Sequence, residues 1–197
     1  MRQLIAVLAL ALAGPAVAAE PKAAPAARAA VRAAPEWRTN VAQSSIGFAS
    51  SVEGAAFRGT FTRWSAAIRF DPANLAGSSV RVVIDPASAN TGSADRDGTL
   101  READWFDTAR HRSAVFEATT FRSTAAGRYE AVGTLTVKGK ATPVTLPFTL
   151  AIAGANADMQ AALSLDRTKL GLGAAMPASS IPAAVAVTIR VRAARVG

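Results

Sequence analysis

Gly127–Ile152 reads "GRYEAVGTLTVKGKATPVTLPFTLAI". Tyr129, Ala131, Gly133, Leu135 and Val137 take every second position, and Val144, Leu146, Phe148, Leu150 and Ile152 do the same after the break. A period of two belongs to a strand with one buried face. Lys138-Gly139-Lys140 separates the two runs and supplies the glycine that a tight hairpin turn favours. This stretch decides the fold. Two long antiparallel strands share one apolar face, and the rest of the chain has to supply the opposite wall.

The alternation continues in both directions. Upstream, Ile46 and Phe48 share a face, as do Phe57, Gly59 and Phe61, and then Ala66, Ile68 and Phe70. Asp71-Pro72 ends the last of these runs, and Asp85-Pro86 ends the run of Val80, Val82 and Ile84; both pairs are turn signals. "SAVFEATTF" is apolar at Ala114, Phe116 and Ala118. Downstream come Leu163 and Leu165, Leu170 and Leu172, and a final run of Val185, Val187, Ile189 and Val191. The strand candidates number about eight.

Helical periodicity is nearly absent. The exception is "DRDGTLREADWFDTARH", Asp95–His111, where Leu100, Trp105 and Phe106 can anchor a short helix or ordered loop. Successive antiparallel strands with one apolar face form a sandwich or a closed barrel. Closure removes exposed edges, and eight strands enclose room for one small apolar ligand. The expected fold is all-β: an antiparallel eight-stranded barrel with a short helix or loop insertion near residues 94–108. Arg58, Arg69, Arg81 and Glu130 fall opposite the apolar rows, and aromatics make up only 6% of the chain without marking strand ends. Both features suit a barrel with a dry interior and a wet exterior better than an outer-membrane barrel with aromatic girdles.

The start of the chain is different. "MRQLIAVLALALAGPAVAAE" has a basic Arg2, an apolar Leu4–Leu12 and small residues before Ala19, the pattern of a secretory signal peptide over residues 1–18. Residues 19–36 are rich in Ala and Pro, with Val31 their one larger apolar residue, and read as a flexible linker. A domain over residues 37–195 of about 160 residues is large enough for a sizeable core. The expected location is the periplasm. The chain has no cysteine, which removes disulfides, a thiol nucleophile and thiolate metal ligation. The net charge of +8 suits solubility or attraction to an anionic membrane surface. Export and the spread of the basic residues argue against nucleic acid as a partner.

Catalytic and metal signals are thin. His111 is the only histidine, flanked by Arg110 and Arg112, and reads as a surface loop residue. Asp95, Asp97, Glu102, Asp104 and Asp107 interleave with Arg96, Arg101 and Arg110, so mutual ion pairing is expected over a calcium site, whose ligand spacing they do not match. "GTLTVKGK" misses the phosphate-loop spacing, and Ala141 stands where that loop needs Ser or Thr. No G-x-S-x-G elbow occurs. The reading is of a protein that is not an enzyme and uses neither metal nor cofactor.

Several segments together carry a resemblance. "SSIGF", "FRGTFTRWSAAIRFDP", "SSVRVVIDPASANTGSADRD", "WFD" and "GTLTVKGKATPVTLPFTL" stand in the order of the YceI family, and the chain resembles it from about Trp37 to Val191. The resemblance implies a lipocalin-like barrel around an elongated apolar tunnel, exported and binding polyisoprenoid or related long-chain lipids without catalysis. It implies that Trp105 and Phe106 pack at or over the tunnel, with Asp95, Arg96 and Asp97 tying their loop by ion pairs. Three positions depart from the family pattern: Thr99 where many members have histidine, Arg112 where many have proline, and "GLGAAMPASSIPAAVAV", which lacks the bulky residues often found before the last strand. The last departure implies more room at the tunnel mouth or a looser rim.

The candidate tunnel residues are Ile46, Phe48, Phe61, Ile68, Val82, Ile84, Phe106, Phe116, Leu135, Leu146, Phe148 and Ile189. The expected ligand is a long-chain isoprenoid, quinone or fatty amphiphile. Peripheral membrane contact and a homodimer are compatible with it. The competing reading is a structural or stress-response module with a solid core and a basic surface that binds a partner or membrane.

Overall fold

The computed structural model describes residues 32–197. The strands are β1 (Glu36–Thr39), β2 (Ser45–Val52), β3 (Ala55–Phe61), β4 (Trp64–Arg69), β5 (Ser79–Ile84), β6 (Ala89–Asn90), β7 (Ala114–Ala125), β8 (Arg128–Val137), β9 (Lys140–Ala153), β10 (Asn156–Asp166) and β11 (Ala184–Arg195). One helix, α1 (Ala94–Arg101), lies between β6 and β7. Every strand pairing is antiparallel.

Eight strands close the ring in the order β1-β4-β5-β7-β8-β9-β10-β11, and β11 returns to β1. β11 pairs with two strands along its length. Ala193–Arg195 meet β1, whereas Ala186–Arg190 meet β2. β2 then pairs with β3, and β3 with β6, so a short flap of sheet extends the wall beside the closed ring.

The decisive stretch folds as its pattern requires. β8 and β9 pair from Arg128↔Thr149 to Val137↔Lys140. Lys138 and Gly139 both have positive φ, 50° and 73°, which a two-residue type I′ turn demands. Leu135, Leu146 and Phe148 face the interior, and Thr145, Pro147 and Thr149 stand exposed outside. The outer wall also carries the ion pairs Arg69–Glu36, Arg81–Glu117 and Arg192–Asp158. Polar outside and apolar inside is the inverse of a lipid-facing barrel wall.

Two features depart from simple alternation. Between Ala118 and Thr120 the β7–β8 register shifts, placing one extra residue in β7. This bulge changes the parity of the strand. Phe116 and Ala118 point inward before it, and Phe121 joins them after it, packed on the same core. Second, the stretch read as linker contributes to the domain at its end. Ala34 is buried with its N–H donated to the Gly77 carbonyl at 3.0 Å, and β1 begins at Glu36. Residues 1–18, expected to be a leader, and residues 19–31 of the expected linker lie outside the described residues.

Candidate ligand-binding tunnel

The inward faces of the strands do not meet. They enclose a cavity of about 810 Å³. That volume falls within the range of pockets that bury a small ligand. All twelve residues expected at the tunnel line it. Ile46, Phe116, Leu146 and Phe148 are buried, whereas Phe48, Phe61, Ile68, Val82, Ile84, Phe106, Leu135 and Ile189 are half-buried. Apolar side chains on the inward face of a closed barrel retain exposure only where their neighbours leave space, so the half-buried residues border an unfilled part of the core.

The two ends of the cavity differ. At the end reached by β1 and by Phe70, aromatic rings pack against one another. Phe70 meets Phe121, Tyr129 and Phe148 edge-on at 5.4, 5.3 and 5.8 Å, and Tyr129 stacks on Phe148 at 5.5 Å. These are the offset and edge-to-face geometries that aromatic pairs prefer. Trp37 is buried beside them and donates its Nε1–H to the Phe70 carbonyl at 2.9 Å. This is the closed end.

The mouth is built from α1 with residues 102–112, the segment 167–183 and the β2–β3 hairpin. Phe48 and Phe61 pack at 5.2 Å, and Phe61 meets Phe106 edge-on at 5.8 Å. Gly59 lies directly under the Phe48 ring, where a Cβ would collide with it. Trp105 and Phe106 both line the cavity. "DRDGTLREADWFDTARH" is therefore the lip of the tunnel.

How that lip is held differs from the expectation. Asp95, Arg96 and Asp97 form no ion pairs with one another or with other described residues. Instead Asp97 Oδ1 accepts the Thr91 N–H at 2.8 Å and the Thr91 hydroxyl at 2.7 Å, which fixes the approach to the helix. Arg96 lies over the Phe57 ring at 4.5 Å and donates to Thr91 Oγ1 at 3.2 Å. Ser93 caps α1 by accepting the Arg96 N–H. Carboxylates and guanidiniums interleaved on one turn of chain point to different sides, so their neighbourhood in sequence does not make them partners in space. The pairing of this stretch is at Asp107, which is buried with Arg110 at 3.5 Å and His111 at 4.0 Å. The His111 distance exceeds a hydrogen bond, so Asp107 does not orient the ring as it would a general base.

Arg167 has no counterpart in the sequence reading, yet its long charged side chain is almost completely buried. Its Nε–H donates to the Pro182 carbonyl at 3.1 Å; Nη1 donates to Leu172 at 3.0 Å and to Gly173; Nη2 donates to Met176 and Ile181, both at 2.8 Å. A guanidinium has five N–H donors, and here each meets a backbone carbonyl. The charge also sits 5.8 Å from the centre of the Trp105 ring, within cation–π range. Gly173 has φ +52°, and a Cβ there would clash with Trp105, so the segment needs glycine at this point. The segment 167–183 carries no aromatic residue, and hydrogen bonding to one buried cation shapes it. Lys138 adds a second tie, donating Nζ to the Ala103 carbonyl at 2.7 Å and the Gly171 carbonyl at 3.2 Å.

Other lining residues fell outside the candidate set. Trp64 shares the parity of Ala66, Ile68 and Phe70, and Phe57 that of Phe61, so alternation carried the signal for both. Phe121 was hidden by the bulge. Trp37 opens a strand too short to show a period.

A closed antiparallel barrel around an apolar cavity defines a ligand-enclosing β-barrel. The chain belongs to the YceI family: the YceI-like domain matches residues 37–193. Among solved structures it is similar to Burkholderia cenocepacia BcnA, at 28% identity and TM-score 0.73, covering 78% of this chain and 98% of that one. It shares its fold with the Campylobacter jejuni YceI protein, at 21% identity and TM-score 0.65 over 71% of this chain and 84% of that one. It also shares its fold with a Saccharophagus degradans polyisoprenoid binding domain implicated in plant cell wall breakdown. There the identity is 19% and the TM-score 0.64, covering 82% and 99% of the two chains. A UPF0312 protein of Vibrio cholerae is 33% identical over 109 residues, 55% of this chain. The match spans 58% of that relative's length, little more than half.

Proposed function

We propose that this protein binds and carries a long-chain isoprenoid, quinone or related amphiphilic lipid in its barrel tunnel, without catalysing a reaction on it, and that it works in the periplasm. The hollow apolar cavity of about 810 Å³ carries the reading. Each methylene moved from water into such a lining contributes about 0.8 kcal/mol. A long hydrocarbon chain therefore supplies its own affinity and requires few polar contacts. Family membership and the fold shared with a polyisoprenoid binding domain support the same class of ligand. The secretory pattern at the start of the chain supports the location. A solid-cored module would bury Ile68, Val82 and Leu135 fully; here all three stay half-buried around open space.

The test is native mass spectrometry of protein exported to the periplasm and purified without detergent, followed by organic extraction. A stoichiometric adduct released as a long-chain lipid is the expected result. An apo mass that stays unchanged on adding isoprenoids, quinones and fatty acids would overturn the carrier reading.

A further inference from the structure

Among the described residues three arginines line the cavity, Arg69, Arg96 and Arg167, and they differ in what their donors already hold. We infer that Arg96 is the head-group residue of the tunnel: it receives the oxyanion of an amphiphile that ends in phosphate or carboxylate, while the chain fills the barrel. The inference rests on the carrier reading and adds the chemistry of the head.

Arg69 is paired with Glu36 at 3.2 Å. Arg167 has all five side-chain N–H groups on backbone carbonyls. Arg96 uses one of its five, from Nη1 to Thr91 Oγ1 at 3.2 Å, and has no ion-pair partner among the described residues. The donors left over belong to a planar fork, the geometry that matches two oxygens of a phosphate or carboxylate.

The guanidinium is positioned by the protein itself. Asp97 Oδ1 accepts the Thr91 hydroxyl at 2.7 Å, so the proton of that hydroxyl is committed and its oxygen is left to accept from Arg96. The centre of the Phe57 ring lies 4.5 Å from the Arg96 charge. A half-buried cation against a ring has lost part of its water, and an oxyanion replaces that water with charge-assisted hydrogen bonds. Asp95, Glu102 and Asp104 line the same cavity, yet none pairs with a cation among the described residues. All three are exposed, so water and salt screen their repulsion of an anionic head more than they screen the attraction of Arg96.

From Arg96 the way inward is a row of apolar side chains. Phe57 meets Phe48 edge-on at 6.5 Å, Phe48 packs on Phe61 at 5.2 Å, and Ile46 follows Phe48 on the same face of β2. All four line the cavity. A head held at Arg96 therefore leaves its chain against the tunnel wall.

The experiment compares geranylgeranyl monophosphate, geranylgeraniol with the same chain, the headless hydrocarbon squalene and inorganic phosphate. Trp37, Trp64 and Trp105 all line the cavity, so the change in their fluorescence reads occupancy at low salt. The monophosphate is expected to bind about tenfold more tightly than the alcohol. Arg96→Met, which keeps an apolar stem beside Phe57, is expected to weaken the monophosphate about tenfold, the alcohol no more than about twofold and squalene not at all. Inorganic phosphate at the same concentration is expected to leave the signal unchanged, because it has no chain to fill the tunnel. A parent protein that binds alcohol and monophosphate equally overturns the head-group role, and that comparison needs no variant to fold. An Arg96→Met protein that keeps the parent's preference for the monophosphate overturns it as well, and so does a response to inorganic phosphate that matches the monophosphate. In these three cases the carrier reading stands. Failure of all three chains to bind the parent overturns both.

Discussion

The closed end and the mouth of this barrel are both lined with aromatic rings, yet they are built to opposite ends. Around Phe70 the central rings are buried, Trp37, Phe70 and Phe148 at 3%, 6% and 9% exposed, with Phe121 and Tyr129 half-buried at the edge of the cluster. At the mouth Phe48, Phe57, Phe61 and Phe106 touch in the same geometries but stay half-buried, because on one side they face space. Ring-to-ring contact alone therefore does not tell a core from a binding surface. What remains unfilled on the other side of the ring does. The closed end is held by apolar packing, and the mouth by hydrogen bonds from two cations, Arg167 and Lys138, to backbone carbonyls.

The sharpest way to break this comparison is a pair of matched truncations. Phe70→Ala should lower unfolding free energy by about 3–5 kcal/mol, the usual cost of emptying a packed aromatic site. Phe61→Ala should cost less than about 2 kcal/mol, because that ring already borders a cavity and forfeits fewer contacts. Equal losses in urea denaturation would show that the two ends are packed alike. Phe61→Ala should instead weaken a bound long-chain probe, measured by tryptophan fluorescence.

Arg167→Met should be next in size, at about 2–3 kcal/mol, because it strips donors from buried carbonyls without emptying the site. The damage should be local. Limited proteolysis is expected to cut within residues 174–181 of the variant while the ring of strands stays intact. Arg167→Lys should resemble Met, since an ammonium cannot span five carbonyls. A variant that resists cleavage as well as the parent would remove Arg167 from its place as the rim's organiser.

The smallest effect concerns Asp166, where β10 gives way to the rim. Its carboxylate is held below its ordinary pKa chiefly by the Thr168 hydroxyl, with the Thr168 and Lys169 backbone N–H groups and the Lys169 charge adding to it. A carboxylate depressed in the folded state stabilises it above the ordinary value of about 3.8, and that contribution fades as pH falls through the lower folded value. Comparing Asp166→Ala with the parent should show a small stability gap that is constant from neutral pH to about 5 and closes below about 4. A gap that widened in acid would reverse the sign and refute the assignment.

Much of the molecule follows from alternation alone. The Gly127–Ile152 hairpin, its turn at Lys138-Gly139 and the inward rows of β4, β5 and β11 are read directly, because a strand with one dry face must repeat every second residue. Alternation marked eleven of the twelve candidate tunnel residues, all but Phe106, since a wall and a solid core obey the same period. For that reason it could not say that the interior is hollow. Hollowness depends on how far apart opposite walls stand, which the strand number and stagger of the closed ring set. The bulge after Ala118 was equally silent, because one inserted residue looks like a lapse in pattern until its partner strand is known.

The sequence by itself determined the period, the turns, the family and the apolar face. Tertiary structure alone decided which acids meet which bases and where the buried charge lies. "DRDGTLREAD" invites pairing between neighbours, yet Asp97 turns to Thr91 and Arg96 to Phe57. Arg167 is one of many arginines in the sequence until the segment Leu172–Pro182 folds its carbonyls around it. Strand periodicity is imposed locally by the backbone. The partners of a charge are set by which distant segments the closed barrel brings together.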